Sequence, residues 1–240
     1  LLNVKKSSQK IPDIFIDNGK IYSGYEEVTE GFNDFFSSIG NKLADKIPPS
    51  KNDFESYLGV PIEENFVFAN ITEDIVMDTL KLLKSKNSSG SDKMSTILLK
   101  EIMPSIIIPV VYLFNLSIRT GYVPESYKCA RVIPIYKSGS RNEFTNFRPI
   151  SLLSSFSKLL EKIIAKQMFG FLNKRDILYN FQFGFRPKHD TNQPIIHFLD
   201  RIYSALNKDI PEYTLGIFLD LKKAFDTVPK SILLRKMSHY

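Results

Sequence analysis

Between residues 102 and 118 no side chain carries a charge. A run this apolar has to leave water, either inside a protein core or inside a bilayer. It is just short of the roughly 20 residues that span a membrane. It also contains Pro104 and Pro109 and the polar Ser105, Asn115 and Ser117. The reading is therefore a buried, kinked helix in a folded domain, with no membrane partner. The rest of the chain can supply that domain. Of 240 residues, 43% are hydrophobic and 12% aromatic, enough for one large core or two small ones and too many for a disordered chain. The formal charge of +6 is compatible with a nucleic-acid partner without requiring one. A single cysteine, Cys129, excludes a disulfide framework and a four-cysteine metal site within this chain. It favours a reducing, intracellular setting, with Cys129 itself expected as a small buried apolar residue. The opening residues show no signal peptide and no starting methionine, so a fragment is expected.

Residues 1–66 are a lead-in, polar and rich in turn formers, with Pro48-Pro49-Ser50 closing one segment. Within it Val28, Phe32, Phe35, Phe36, Ile39 and Leu43 recur at helical spacing and predict one docking helix. Thr72 is a good N-cap, and Ile75, Val76, Thr79, Leu80 and Leu83 mark the buried face that follows. A polar loop, residues 87–92, separates this helix from one running from about Ser95 to Arg119, stopped by Gly121. Then the period changes. Residues 131–136 predict a short strand, and residues 137–140 a turn. Residues 151–172 predict an amphipathic helix with Leu152, Leu153, Phe156, Leu159, Leu160, Ile163, Ile164, Met168 and Phe171 inward. After a loop containing Gly184 and Pro187, residues 192–206 predict a helix that buries Ile195, Ile196, Phe198, Leu199, Ile202 and Leu206. Residues 214–219 predict a strand ending at Asp220.

A carboxylate where an apolar strand runs out is the strongest chemical signal. Burying it unpaired is costly, and a magnesium ion would satisfy it with oxygen ligands. The plainer reading is that Asp220 caps the next turn. Phe225, five residues on, is either a core side chain or a rigid wall that excludes a 2′-hydroxyl. Asp226 fits a turn toward Pro229 better than a second ligand. Lys137 and Arg148 flank a short hairpin. They can clamp a triphosphate or simply sit in solvent. Residues 180–188 interleave aromatics with Arg186 and Lys188, which suits either stacking on a nucleic-acid strand or a packed loop. His189, His197 and His239 show no ligand spacing with Cys129, so no zinc site is implied.

Five pieces recur in one order: Ser89-Gly90-Ser91-Asp92, Val132-Ile-Pro-Ile-Tyr-Lys137, Asn146-Phe-Arg-Pro-Ile-Ser-Leu-Leu153, Gln182-Phe-Gly-Phe-Arg-Pro187 and Phe218-Leu-Asp-Leu-Lys-Lys-Ala-Phe-Asp226. In this order they resemble the reverse transcriptases of non-LTR, LINE-type, jockey-like retrotransposons, over about residues 70–238. Phe32-Asn-Asp-Phe-Phe-Ser is similar to the connector that precedes the domain in such elements. The resemblance implies an α+β, helix-rich right-hand polymerase. Residues 1–66 would be the connector, 67–212 the fingers and 213–240 the start of the palm. It implies that Asp220 is the first catalytic, metal-binding aspartate and that the Leu221 carbonyl is a further ligand. Lys137, Arg148 and Phe225 would meet the nucleotide. Gln182, Gly184 and Arg186 would line the template or pocket loop. It further implies two magnesium ions, an RNA template, a DNA primer, deoxynucleoside triphosphates, and a nuclear or cytoplasmic location.

The chain has no Asp-Asp pair, which such enzymes carry in a later motif. The expectation is therefore a domain truncated before the rest of the palm and thumb, with no polymerase activity by itself. Two other classes fit less well. One is a non-catalytic nucleic-acid-binding remnant of the same domain. The other is an unrelated magnesium phosphatase, which would need acidic ligands that the sequence does not offer.

Overall fold

The computed structural model describes residues 11–17, 19–48, 52–210, 212–221 and 223–240. The opening residues and the Pro49-Ser50 part of the expected turn lie outside them. Within them the chain is helix-rich. Its strands form two separate antiparallel hairpins: β1 (Ile14–Asp17) with β2 (Lys20–Ser23), and β3 (Arg131–Tyr136) with β4 (Phe147–Leu152).

The first core is helical. It joins α2 (Glu73–Lys81), α3 (Thr96–Thr120) and α5 (Ser155–Lys174). Val76 and Leu80 of α2 meet Leu99, Met103, Val110 and Phe114 of α3 and Leu159, Leu160 and Ile163 of α5, with Ile71 closing the cluster. Local chemistry sets the helix ends. The Thr72 hydroxyl accepts from the Ile75 N–H and the Ser95 hydroxyl from the Leu98 N–H, while Gly121 ends α3 at φ +67°.

By length and composition α3 could cross a membrane, yet its Leu99–Met103–Val110–Phe114 stripe lies in this core. The expected buried helix is buried along one face. Ile108, Tyr112 and Leu113 are exposed. A single helix runs through both prolines. The polar Asn115 in this apolar run has a structural role. Its amide donates to the Ile71 carbonyl at 2.8 Å and accepts from the Ile71 N–H at 2.8 Å. Gln167 of α5 holds Ala69 in the same two-bond manner. These two amides satisfy an extended backbone that no strand pairs.

The second core is aromatic and was not foreseen. Helix α1 (Gly24–Ala44) packs Val28, Phe32 and Phe35 against Phe15 of β1, Phe147 of β4 and Phe144 from the β3–β4 connection. Phe144 stacks on Phe15 at 4.8 Å and takes the Phe32 ring edge-on at 4.7 Å. Asn142 pins β1 to the same connection: it accepts from the Ile16 N–H and donates to the Ile14 carbonyl. The lead-in and the second hairpin therefore share one core.

Three expectations are corrected. The helix expected from residue 151 begins at Ser155, because Ser151 and Leu152 pair with Val132 and Arg131 in the ladder. Ser154 then caps the helix by accepting from the Ser157 N–H. Cys129 is exposed, since it sits in extended backbone between the short helix α4 (Glu125–Lys128) and β3. Helix α6 (Asn192–Leu206) forms over the expected residues but buries none of them, because among the described residues no element covers its apolar face.

Gly90 ties two of the sequence motifs together. A Cβ there would lie 2.7 Å from the Leu153 carbonyl and from the Ser154 nitrogen. Met94, held by Asp92, accepts from the Ser155 hydroxyl at 2.9 Å. Gly90→Ala is expected to destabilise the chain by about 1–3 kcal/mol through this overpacking, measured as a lowered urea midpoint. An unchanged midpoint would show that Leu153 can move aside freely.

Candidate functional site

The β3–β4 register decides what the two cations can do. Ile135 faces Arg148, Ile133 faces Ile150, and Arg131 faces Leu152. Directly opposed residues share a side of an antiparallel pair, and sides alternate along each strand. Arg148 thus lies on the side away from Phe147 and Tyr136, which pack toward α1. The Lys137 N–H donates to the Asn146 carbonyl at 2.8 Å and continues the pairing, so alternation puts Lys137 on the Arg148 side. Both are exposed, above the partly exposed Ile135 and Ile150. The connection between the strands is closed by its own polar groups. The Tyr136 hydroxyl donates to the Gly139 carbonyl, the Asn146 amide donates to the Ser140 carbonyl, and Arg141 stacks over the Tyr136 ring at 4.7 Å. One side of this hairpin therefore presents two exposed cations, without an ion-pair partner among the described residues, suited to the oxygens of an anionic ligand.

The loop of residues 179–190 is braced by Tyr179, whose carbonyl accepts from the Gln182 N–H and the Arg186 guanidinium. Gln182 and Gly184 are exposed, and nothing lies within 4 Å of a Cβ built on Gly184. Any close approach at Gly184 is therefore open to a ligand, not taken by the chain. The unusual backbone belongs to its neighbour, Phe185, at φ +61°, with Lys188 at +63°. Non-glycine residues in this region cost energy and concentrate at functional sites. Phe181 and Phe183 pack on His197 of α6 at 5.6 and 5.4 Å.

The segment bearing Asp220 is not a strand. Residues 212–221 have no ladder partner, and Leu219 is 90% exposed. A strand needs neighbours for its N–H and C=O groups, and among the described residues none is supplied. Asp220 is exposed and makes no hydrogen bond or ion pair with Lys137 or Arg148. The strand expected over residues 214–219 is thus absent, and Asp220 ends an extended, unpaired segment. Asp226 is in a turn, its N–H donating to the Lys223 carbonyl at 2.9 Å. It borders a cleft of about 730 Å³ between α1 and the Val132–Pro134 side of the hairpin, opposite to the cations. Phe225 is 80% exposed, and its ring meets Phe185 edge-on at 5.6 Å.

The structure therefore joins Phe225 to the aromatic loop and sets Lys137 beside Arg148, with Asp220 hydrogen-bonded to neither pair. Phe185 was the contact missed in the sequence, where a phenylalanine after glycine gives no sign of its left-handed backbone. For a metal, Asp220 and the Leu221 carbonyl offer hard oxygen donors of the kind magnesium takes. They make only part of a coordination shell, for among the described residues no three His, Cys, Asp or Glu side chains gather to hold an ion.

Comparison with known proteins decides the family. Residues 135–240 match the family described as reverse transcriptase (RNA-dependent DNA polymerase). Over 181 residues the chain is 32% identical to the probable RNA-directed DNA polymerase from transposon BS of Drosophila melanogaster, covering 75% of this chain and 20% of that protein. Residues 135–240 are thus a reverse transcriptase segment of the kind found in LINE-type retrotransposons. The RNA-directed DNA polymerase from mobile element jockey of the same fly is 28% identical over 183 residues, 76% of this chain and 20% of that one. The X-element polymerase is 31% identical over 154 residues, 64% and 17% respectively. The segment thus spans about a fifth of the length of the relatives it matches. The family match begins at Ile135 and so takes in Lys137, Arg148, the aromatic loop and Asp220.

Proposed function

We propose that this chain supplies the fingers, residues 67–212, and the start of the palm, residues 213–240, of an RNA-directed DNA polymerase, with residues 1–66 as the upstream connector. The observation that carries the proposal is the pair Lys137 and Arg148 on one exposed side of a braced hairpin, inside the reverse transcriptase match. In the complete enzyme a primer 3′-hydroxyl attacks the α-phosphate of a deoxynucleoside triphosphate, forming a phosphodiester and releasing pyrophosphate. Lys137 and Arg148 hold the triphosphate oxygens: Arg148 through its planar fork, Lys137 as a compact charge. Gln182, Gly184 and Arg186 line the template or the nucleotide pocket, with exposed aromatics beside them for stacking. Asp220 and the Leu221 carbonyl contribute oxygen ligands, and bound magnesium would neutralise phosphate charge there. The partners are an RNA template and a DNA primer, and the setting is intracellular.

Phe225 is the proposed gate against ribonucleotides. Its ring meets Phe185 edge-on, and its bulk would stand where a 2′-hydroxyl has to pass. In a full-length polymerase carrying this segment, Phe225→Ala is expected to raise the use of ribonucleotides relative to deoxynucleotides by roughly tenfold or more, the effect of relieving a steric clash. Single-nucleotide incorporation with both substrates measures the ratio. Unchanged discrimination would reject the gate.

A non-catalytic, strand-holding role has one observation in its favour, the absence of a three-ligand cluster among the described residues. It is separated from the polymerase reading by salt-dependent binding that needs no magnesium.

A further inference from the structure

The stretch that follows Asp220 is held from the far end of the sequence. Gly40 of α1 lies so close to the Asp226 carbonyl that any Cβ there would collide with it. The Lys223 ammonium sits over the Phe35 ring, 4.9 Å from its centroid. Helix α7 (Lys230–His239) then meets residues 53–59. The Arg235 guanidinium reaches Glu55 and Asp53 while stacking over Phe54 at 4.6 Å. At the end of the helix, His239 Nε2 lies 2.7 Å from the Gly59 carbonyl, and the Tyr240 hydroxyl accepts from the Gly59 N–H at 2.9 Å.

We infer that two parts of the lead-in, α1 and residues 53–59, brace the turn after Asp220, and that Arg235 is a positioning residue for that carboxylate. The argument is geometric. Residues 212–221 have no ladder to fix them, so Asp220 is held between the Phe218 ring, 5.7 Å from that of Phe198 in α6, and, on its C-terminal side, the 223–226 turn seated on α1. Three separated anchors (Phe35 and Gly40, the 53–55 acids with Phe54, and Gly59) fix direction as well as position. One exposed ion pair would do little. A guanidinium shared by two carboxylates that also stacks on an aromatic ring holds one geometry. That holding Asp220 matters for synthesis rests on the proposed polymerase reading; the brace itself does not.

The test uses Arg235→Glu and the charge-swapped Asp53→Arg/Glu55→Arg/Arg235→Glu. In this chain Arg235→Glu is expected to raise hydrogen exchange across residues 223–240 about fivefold, with α3 and α5 unchanged as a sign of intact folding. The swap is expected to restore protection. In a full-length polymerase, Arg235→Glu should lower kcat for primer extension while leaving the KM for nucleotide unchanged, and the swap should recover kcat. Unaltered exchange overturns the brace. Altered exchange with unaltered kcat overturns the positioning role. Extension that survives Asp220→Ala rejects the polymerase assignment of Asp220 and leaves the exchange result standing.

Discussion

Asp220→Ala, made in a full-length polymerase carrying this segment, is expected to abolish DNA synthesis and to leave template binding nearly intact. The two halves have different physical origins. On the proposed function, template affinity would come from many dispersed contacts, the aromatic loop among them, and mainly from phosphate charge. An exposed aspartate opposes that charge slightly and anchors no core residue, since Asp220 is fully at the surface of its segment. Its loss therefore costs binding and folding little. On the proposed function, catalysis would depend on this carboxylate acting where charge develops on the phosphoryl group. Removing such a ligand forfeits several kcal/mol of transition-state stabilisation, about a thousandfold or more in rate. Primer extension with magnesium and a template mobility-shift titration, run on the same preparation, separate the two. Synthesis within about tenfold of the unmodified enzyme would remove Asp220 from the chemistry.

What could be read from sequence divides along a physical line. Helix borders were legible because capping is local: Thr72, Ser95 and Gly121 act on backbone groups within one turn of themselves. The buried stripe of α2 followed from spacing alone. Pairing is not local, and there the reading failed. Leu152 and Leu153 extend the helical stripe of α5 perfectly well, yet Leu152 lies opposite Arg131 because the ladder satisfies backbone groups that a helix start would leave open. Residues 214–219 are apolar as strands are, but among the described residues no neighbour completes them. The β1–β2 hairpin was legible and missed: Asn18-Gly19 between apolar runs is a strong short-range hairpin signal. In the candidate site, the residue types were recognisable from the motifs. Their grouping was not, since only the strand register puts Arg148 and Lys137 on one side, and only the fold brings Phe225 to Phe185.

The same aromatic core gives the largest expected change in stability. Phe144 is 1% exposed and contacts Phe15, Tyr22, Phe32 and Phe35 at once, so it joins β1, β2, α1 and the β3–β4 connection. Gly31 of α1 leaves room for the ring: a Cβ there would lie 2.5 Å from its tip. Truncating a buried phenylalanine costs about 3–5 kcal/mol, as lost transfer energy plus an unfilled cavity. The four aromatic partners are themselves large and interlocked, which limits collapse into the gap and favours the upper part of that range. Phe144→Ala is therefore expected to lower stability by about 3–5 kcal/mol, read as the midpoint shift in urea denaturation. The loss should be centred on one half of the molecule. Hydrogen exchange is expected to rise first in β1, β2, α1 and the hairpin, while the Leu99–Met103–Leu159 core keeps its protection. Equal loosening of both cores would mean that they unfold as one unit. A cost below about 1 kcal/mol would mean that the lead-in does not depend on the hairpin it covers, and the frame that sets Lys137 beside Arg148 would then need another source of rigidity.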